Sequence, residues 1–218
     1  MPSDSGVVHV IDDDEAIRHS LQFLLQTAGI VARTYESANA FLDQLPGLAP
    51  GCIITDVRMP GMSGLELLQR VGELKLDLPV IVITGHGDVP LAVEAMKHGA
   101  ADFIEKPFDD EILLGAVRAA LNKFAADHER QEMRAAINEK LAALSNRERQ
   151  VLDGLVTGHA NKVIAYDLGI SPRTVEIYRA NVMTKMGAKS LSELVRMAMI
   201  GGALAGGPHV APPARTKS

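Results

Sequence analysis

Two hydrophobic rhythms alternate through the first 122 residues. Short β-branched runs are followed by stretches in which apolar residues recur every three or four positions. Val7–Ile11 predicts a buried strand. Ile17, Leu21, Leu24, Leu25 and Ala28 then predict a helix over 15–28, closed by Gly29. Val31–Tyr35 predicts a second strand with a helix near 38–45, and Cys52–Thr55 a third. Ser63 and Glu66 have capping-box spacing for a helix that runs to about residue 73. Pro79–Thr84 predicts a fourth strand, with a helix over 89–98 opened by Asp88 and Pro90. Ala101–Glu105 predicts a fifth, with a helix over 110–122 capped by Asp109. Five strand–helix units in strict alternation predict a parallel sheet covered on both faces. Ligands of such a sheet lie beyond the carboxyl ends of its strands.

The pattern then changes. Residues 123–142 are rich in Ala, Glu, Arg, Gln and Lys and poor in large apolar residues, which predicts a helical or partly helical linker continuing the preceding helix. Ser145 and Glu148 form a second capping-box pair and Ser190 and Glu193 a third, the latter opening a final helix through about residue 200. The expected organisation is a doubly wound α/β domain over 1–122, a linker over 123–142, an all-α domain over 143–205 and a disordered tail over 206–218.

Charge supports the division. Residues 1–122 hold 8 Lys and Arg against 18 Asp and Glu, residues 123–142 hold 4 of each, and residues 143–218 hold 10 against 5. An acidic half suits a cation or a basic partner, and a basic half suits a polyanion. No apolar run approaches the ~20 residues of a membrane span, and the N-terminus lacks a secretory pattern, so a cytoplasmic protein without membrane contact is expected. The single cysteine, Cys52, excludes an internal disulfide and reads as a small buried hydrophobe.

Asp12, Asp13, Asp56, Thr84 and Lys106 all fall at predicted strand ends and therefore at one edge of one sheet. Carboxylates gathered there call for a cation, and oxygen ligands in an open site suit Mg²⁺. An Asp carboxylate can act as a nucleophile toward phosphorus, and Thr84 and Lys106 could bond the oxygens of the phosphoryl group it acquires. The plainer alternative is that Asp12 and Asp13 cap the first helix and Lys106 makes a surface ion pair. His86, two residues past Thr84, reads as an exposed loop histidine, with tuning of phosphate lifetime as the alternative.

The set Asp12-Asp13, Asp56-Val-Arg-Met-Pro-Gly61, Thr84-Gly85 and Asp102-Phe-Ile-Glu-Lys-Pro-Phe108 resembles a response-regulator receiver domain over residues 5–122. That resemblance implies a strand order of 2-1-3-4-5. It implies that Asp56 is the phosphoacceptor, and that Asp12, Asp13, Asp56 and the Arg58 backbone carbonyl are Mg²⁺ ligands. Thr84 and Lys106 become phosphoryl sensors, Phe103 a switch aromatic, and Lys106-Pro107 a cis peptide. Many receivers carry Tyr at the place of Phe103, whose ring can still swing but makes no hydroxyl contact.

Residues 161–182 have helix-turn-helix spacing. Ala165 is small where two helices cross, Gly169 supplies the positive φ of the turn, and Val175 is the buried β-branched residue of the second helix. Ser171 and Pro172 give an N-cap and a first-turn proline. A second helix over 172–186 would present Arg173, Thr174, Glu176, Arg179, Asn181 and Lys185 to the major groove. A packed helical hairpin without DNA is the alternative. With Leu144–Leu152, these residues resemble the LuxR-type output domain over 143–200. That likeness implies dimer contacts from Leu191, Leu194, Val195 and Ala198, which could equally be core. Relatives often have Lys where this chain has Glu176 and Ala180, so the base-reading set can differ. Met183, Met186, Met197 and Met199 read as core filler.

Ile83–Pro90, Ala92–Lys97, Arg173–Glu176 and Arg179–Met183 also resemble one nitrogen-fixation regulator of this family. That implies an oxygen-sensing haem histidine kinase as phosphoryl donor and nitrogen-fixation and microaerobic genes as targets. The expected function is thus a two-component response regulator, not an enzyme with turnover. A sensor histidine kinase phosphorylates it, whereupon it forms a homodimer, binds promoter DNA and works with RNA polymerase. The alternatives are an Mg²⁺-dependent aspartyl-phosphate hydrolase, for which Arg58 stands where a second Asp is wanted, and a phospho-switched adaptor that never touches DNA.

Overall fold

The computed structural model describes residues 6–85 and 89–202. They divide into two compact units at His128/Glu129. His86, Asp88, residues 203–205 and the tail 206–218 lie outside the described residues.

In the first unit, β1 (Val7–Ile11), β2 (Ala32–Tyr35), β3 (Gly51–Asp56), β4 (Val80–Thr84) and β5 (Asp102–Glu105) form one parallel sheet, ordered β2-β1-β3-β4-β5. Helices α1 (Glu15–Thr27), α2 (Ala38–Leu42), α3 (Gly64–Glu73), α4 (Val89–Lys97) and α5 (Asp110–Ala142) follow the strands in turn. Successive strand residues face opposite sides, so two cores form. Val8, Val10, Cys52, Ile54, Ile81 and Ile83 pack with Leu21 and Leu25 of α1 and Leu113, Val117 and Leu121 of α5. Ile11, Ile53, Val80 and Val82 pack with Phe41 of α2, Leu67, Leu68 and Val71 of α3 and Ala95 of α4. Cys52 is buried, and burial pushes its thiol up to about 12, so it is an inert hydrophobe.

Two local signals act as the sequence suggests, and one does not. Ser63 and Glu66 form a reciprocal capping box on α3. The Asp109 carboxylate accepts the Glu111 N–H at the start of α5. The cap of α1 is Asp14, which accepts the N–H groups of Ala16 and Ile17. Asp12 and Asp13 are therefore not spent on capping.

α5 continues through the segment read as a linker. Its last turns enter the second unit, whose core combines Ile137, Leu141 and Leu144 with Val151, Leu152, Leu155, Ile164, Val175, Val182, Met186, Leu194 and Ala198. The other helices there are α6 (Asn146–Val156), α7 (Asn161–Leu168), α8 (Pro172–Met186) and α9 (Leu191–Ile200). Ser145 and Glu148 complete a capping box on α6. On α9 the box is split: Ser190 accepts from Glu193 N–H, but the Glu193 carboxylate takes the Lys189 N–H instead. Met186 is core, with Met183 and Met197 packed against it, but Met199 is 61% exposed, correcting its reading as filler.

Candidate functional site

Parallel register brings the strand ends of the first unit together. Ile11 pairs with Thr55, Asp56 with Ile83 and Thr84 with Glu105. Asp12, Asp56, Thr84 and Lys106 therefore arrive at one carboxyl edge. The Lys106 ammonium bridges two carboxylates, donating to Asp56 Oδ1 at 2.8 Å and to Asp12 Oδ2 at 3.1 Å. The remaining oxygens are also engaged: Asp12 Oδ1 accepts the Asp14 N–H at 2.9 Å, and Asp56 Oδ2 accepts the Arg58 N–H at 2.6 Å.

Burial pushes the Asp12 carboxyl up, opposed by the Asp14 N–H and by Lys106. Burial alone would lower Lys106, but its bond to Asp56 and the charges of Asp12 and Asp56 outweigh that and hold it above the ordinary lysine value. Lys106 is therefore a permanent cation here. Thr84 is buried at the neighbouring strand end, and its carbonyl accepts the Lys106 N–H at 2.7 Å. The Lys106-Pro107 peptide is cis.

Asp13 stands apart from this bonded group, exposed to solvent. Among the described residues no three His, Cys, Asp or Glu side chains gather into a closed metal cage. Phe103 is half-buried against the core on the α2–α4 side.

Two residues outside the expected set shape the edge. Arg18 donates from Nη1 to the carbonyls of Asp12 at 2.7 Å and Asp13 at 3.0 Å, holding the turn after β1. Its signal was its place one turn into α1, within reach of that turn. Gly64 opens α3 directly under the end of β3, where a Cβ would collide with the Asp56 carbonyl oxygen. Only the absence of a side chain lets the loop close over the strand end.

In the second unit Gly169 ends α7 in the left-handed region at φ 64°, and Val175 is fully buried. Arg173, Glu176 and Asn181 are exposed along α8, with Arg179 half-exposed. Arg179 also lines a cleft of about 520 Å³ with His159, Asn161, Lys162 and Glu176, which adds Lys162 to the basic edge. Two members of the expected row are engaged within the unit. The Thr174 hydroxyl bonds Ser171 Oγ at 2.8 Å in the N-cap. Lys185 donates to Glu148 Oε2 at 2.7 Å and reaches the Ala143 carbonyl at 3.4 Å. On α9, Leu194 and Ala198 are fully buried in the unit's own core, whereas Leu191 and Met199 are exposed.

Lys185 and the Ser145 N–H hold Glu148 well below the usual carboxylate range, at about 2. Because the folded value lies below the ordinary 4.5, the stabilisation is complete above that pH and is lost as pH falls toward 2. Glu148→Gln is expected to lower the melting temperature of this unit at neutral pH and to flatten its decline between pH 5 and pH 2. Circular-dichroism melts across that range would check this, and an unchanged acid limb would rule it out.

The chain matches the family model for the response regulator receiver domain over residues 8–118, and the model for bacterial regulatory proteins of the luxR family over 142–198. It belongs to the response regulators, with a receiver domain and a LuxR-type DNA-binding domain, the architecture of a phosphorylation-dependent transcription regulator. Within that class it is similar to FixJ. It is 62% identical over 195 residues to the transcriptional regulatory protein FixJ of Azorhizobium caulinodans, covering 89% of this chain and 92% of that one. It is 54% identical to FixJ of Rhizobium meliloti over 195 residues, covering 89% and 96%.

Among solved structures, full-length FixJ from B. japonicum superposes with a TM-score of 0.57 at 53% identity, covering 90% of this chain and 97% of that one. The response regulator StyR superposes with a TM-score of 0.81 at 38% identity, covering 88% and 98%. Neither matched family is catalytic, which removes support from the hydrolase alternative. Among the described residues no helix is long and apolar enough to cross a membrane.

Proposed function

We propose that Asp56 is the phosphoacceptor of this FixJ-like regulator and that Lys106 and Thr84 read its phosphorylation. The observation that carries this is the Asp12–Lys106–Asp56 bridge: one cation holds two carboxylates at the edge where the parallel strands end. A carboxylate oxygen of Asp56 attacks phosphorus as the P–N bond of a kinase phosphohistidine breaks, leaving an acyl phosphate and a free imidazole. The new phosphoryl oxygens compete for the Lys106 ammonium and for the Thr84 hydroxyl. The phosphorylated chain therefore favours an arrangement already populated as a minor state, with Phe103 and α4 repacked.

The site already accommodates a cation between hard oxygen ligands, and this donor chemistry fits Mg²⁺ with much of its water shell retained. Asp12, Asp13, Asp56 and the Arg58 carbonyl would hold it, and it would neutralise charge on the incoming phosphoryl group. Hydrolysis of the acyl phosphate by water then resets the switch.

In the second domain the exposed Arg173, Glu176 and Asn181 and the half-exposed Arg179 fit the major groove. Lys185 is assigned instead to holding α6 on α8 through Glu148. Receiver phosphorylation promotes homodimerisation, with Leu191, Val195 and Met199 as the α9 side chains open to a partner copy. Dimers pair two half-sites on promoter DNA and recruit RNA polymerase. By likeness to FixJ, the donor is a FixL-like sensor kinase and the targets are nitrogen-fixation genes.

Incubation with acetyl phosphate and Mg²⁺ should add one phosphoryl group by intact mass, absent from Asp56→Asn, and should tighten binding to FixJ-type promoter duplex. Phosphorylated protein that stays monomeric and binds duplex no better than unmodified protein would overturn the coupling.

A further inference from the structure

His9 is an unusual residue for the middle of a buried strand. It lies at the centre of β1 with no solvent exposure, between apolar neighbours on both sides. Neither ring nitrogen is wasted. Nε2 is 2.9 Å from the Ala49 carbonyl oxygen and Nδ1 is 3.0 Å from the Tyr35 hydroxyl. A carbonyl only accepts, so Nε2 carries the proton and donates. In the neutral ring Nδ1 is then the acceptor, and the Tyr35 O–H donates to it. Burial favours this neutral ring by lowering its pKa, against the Ala49 bond, which raises it, and the Arg33 charge adds to the lowering. Phe41 walls in both rings edge-on, at centroid distances of 5.6 Å from His9 and 5.3 Å from Tyr35.

Tyr35 carries this anchor to the site. It is the last residue of β2, paired with Ile11, and β2 is the outer strand of the sheet. Its backbone carbonyl accepts the N–H of Asp12 at 3.3 Å, the rung beyond the last paired residues of the two strands. An edge strand has no neighbour on its far side, so its end frays most readily. Here the side chain supplies what the missing strand does not. The order of contacts runs from Ala49 through His9 and Tyr35 to the Asp12 amide, and from the Asp12 carboxylate through Lys106 to Asp56.

We propose that His9 and Tyr35 are positioning residues for Asp12. The Tyr35 hydroxyl, held by the buried His9 ring, pins the end of β2 so that its last carbonyl fixes the Asp12 amide and with it the angle of the carboxylate. Neither residue touches a metal or a phosphoryl group. Their effect reaches the chemistry through Asp12 alone, where small displacements of a positioned group are costly. This rests on the reading of Asp12 as an Mg²⁺ ligand.

The test uses the full chain in four forms: wild type, Tyr35→Phe, His9→Leu and His9→Gln. Tyr35→Phe removes one oxygen and keeps the ring. His9→Leu removes both hydrogen bonds. His9→Gln keeps one donor for Ala49 and one acceptor for Tyr35. The readouts are hydrogen exchange at the Asp12 amide, the Mg²⁺ dissociation constant by calorimetry, and the rate of phosphorylation by acetyl phosphate as a function of Mg²⁺.

Tyr35→Phe and His9→Leu are expected to speed exchange at Asp12 and weaken Mg²⁺ binding about two- to tenfold, the worth of one neutral hydrogen bond. The rate at saturating Mg²⁺ should be little changed, and His9→Gln should recover most of the loss. A lower melting temperature with Asp12 exchange and Mg²⁺ affinity equal to wild type would show a merely structural cluster and overturn the proposal. If His9→Leu does not fold, Tyr35→Phe decides alone. If the wild type takes up no Mg²⁺, the phosphoacceptor reading fails, and Asp12 exchange in Tyr35→Phe still decides the positioning.

Discussion

An output fragment that begins at residue 143 is expected to be unfolded, whereas one that begins at residue 129 folds and melts cooperatively. The difference is the end of α5. Ile137 and Leu141 are 6% and 7% exposed and belong to the same core as Val151, Leu152 and Val182. Gly201, just past α9, sits so close that a Cβ there would press on Leu141 and Ile137. Arg149 donates to the Leu141 carbonyl at 2.7 Å and Lys140 to the Met186 carbonyl at 3.2 Å. Truncating one buried Ile or Leu to Ala costs about 2–5 kcal/mol. Removing two such residues with their hydrogen bonds is comparable to the roughly 5–15 kcal/mol that holds a whole domain. Circular dichroism and amide dispersion of the two fragments would show it. Equal melting temperatures would mean that these turns of α5 are dispensable.

Lys106→Met is expected to leave a chain that can accept the phosphoryl group yet no longer tightens on DNA when it does. Methionine keeps an unbranched, flexible stem but cannot bridge Asp12 and Asp56, nor turn from them to a phosphoryl oxygen. Coupling between sites is typically about 1–3 kcal/mol, or roughly 5–150-fold in affinity, and that gain is what should vanish. Loss of the cation also leaves the buried Asp12 carboxyl with no opposing charge, so its pKa should rise further above the ordinary value. Duplex dissociation constants with and without acetyl phosphate, at one fixed salt concentration, separate the two forms. A full gain in the variant would mean that phosphorylation is read elsewhere.

How far the chain could be read in advance differs between its parts. The strand–helix alternation was legible because each β-branched run is short and some helices carry a glycine stop, such as Gly29 after α1 and Gly99 after α4, both at positive φ. The helix-turn-helix was legible for a similar local reason: Gly169 and Ser171-Pro172 mark a turn that few other residues permit. The end of α5 was not, because Met133, Ile137 and Leu141 recur at helical spacing but nothing along the chain says which core they join. Ile137 and Leu141 declare themselves only against the helices that follow. The ion pair of Lys185 was not legible for a related reason. On the helix it is one more cation in an exposed row, and only the fold brings Glu148, 37 residues earlier, within reach of it.

The sequence by itself determined the elements, the two-part organisation and which residues would end the strands. These follow from local periodicity, caps and turns, each settled within a few residues along the chain. Only the tertiary structure decided that Lys106 lies between Asp12 and Asp56, that Asp14 rather than Asp12 or Asp13 caps α1, and that Tyr35 reaches both His9 and Asp12. The Lys106 and Tyr35 contacts join residues far apart in the chain, and their lengths depend on sheet register and helix packing, while the choice of Asp14 over Asp12 and Asp13 follows from where β1 ends and the turn begins. Hydrogen bonds and ion pairs act over about 3 Å, and no pattern along a single chain specifies distance that finely.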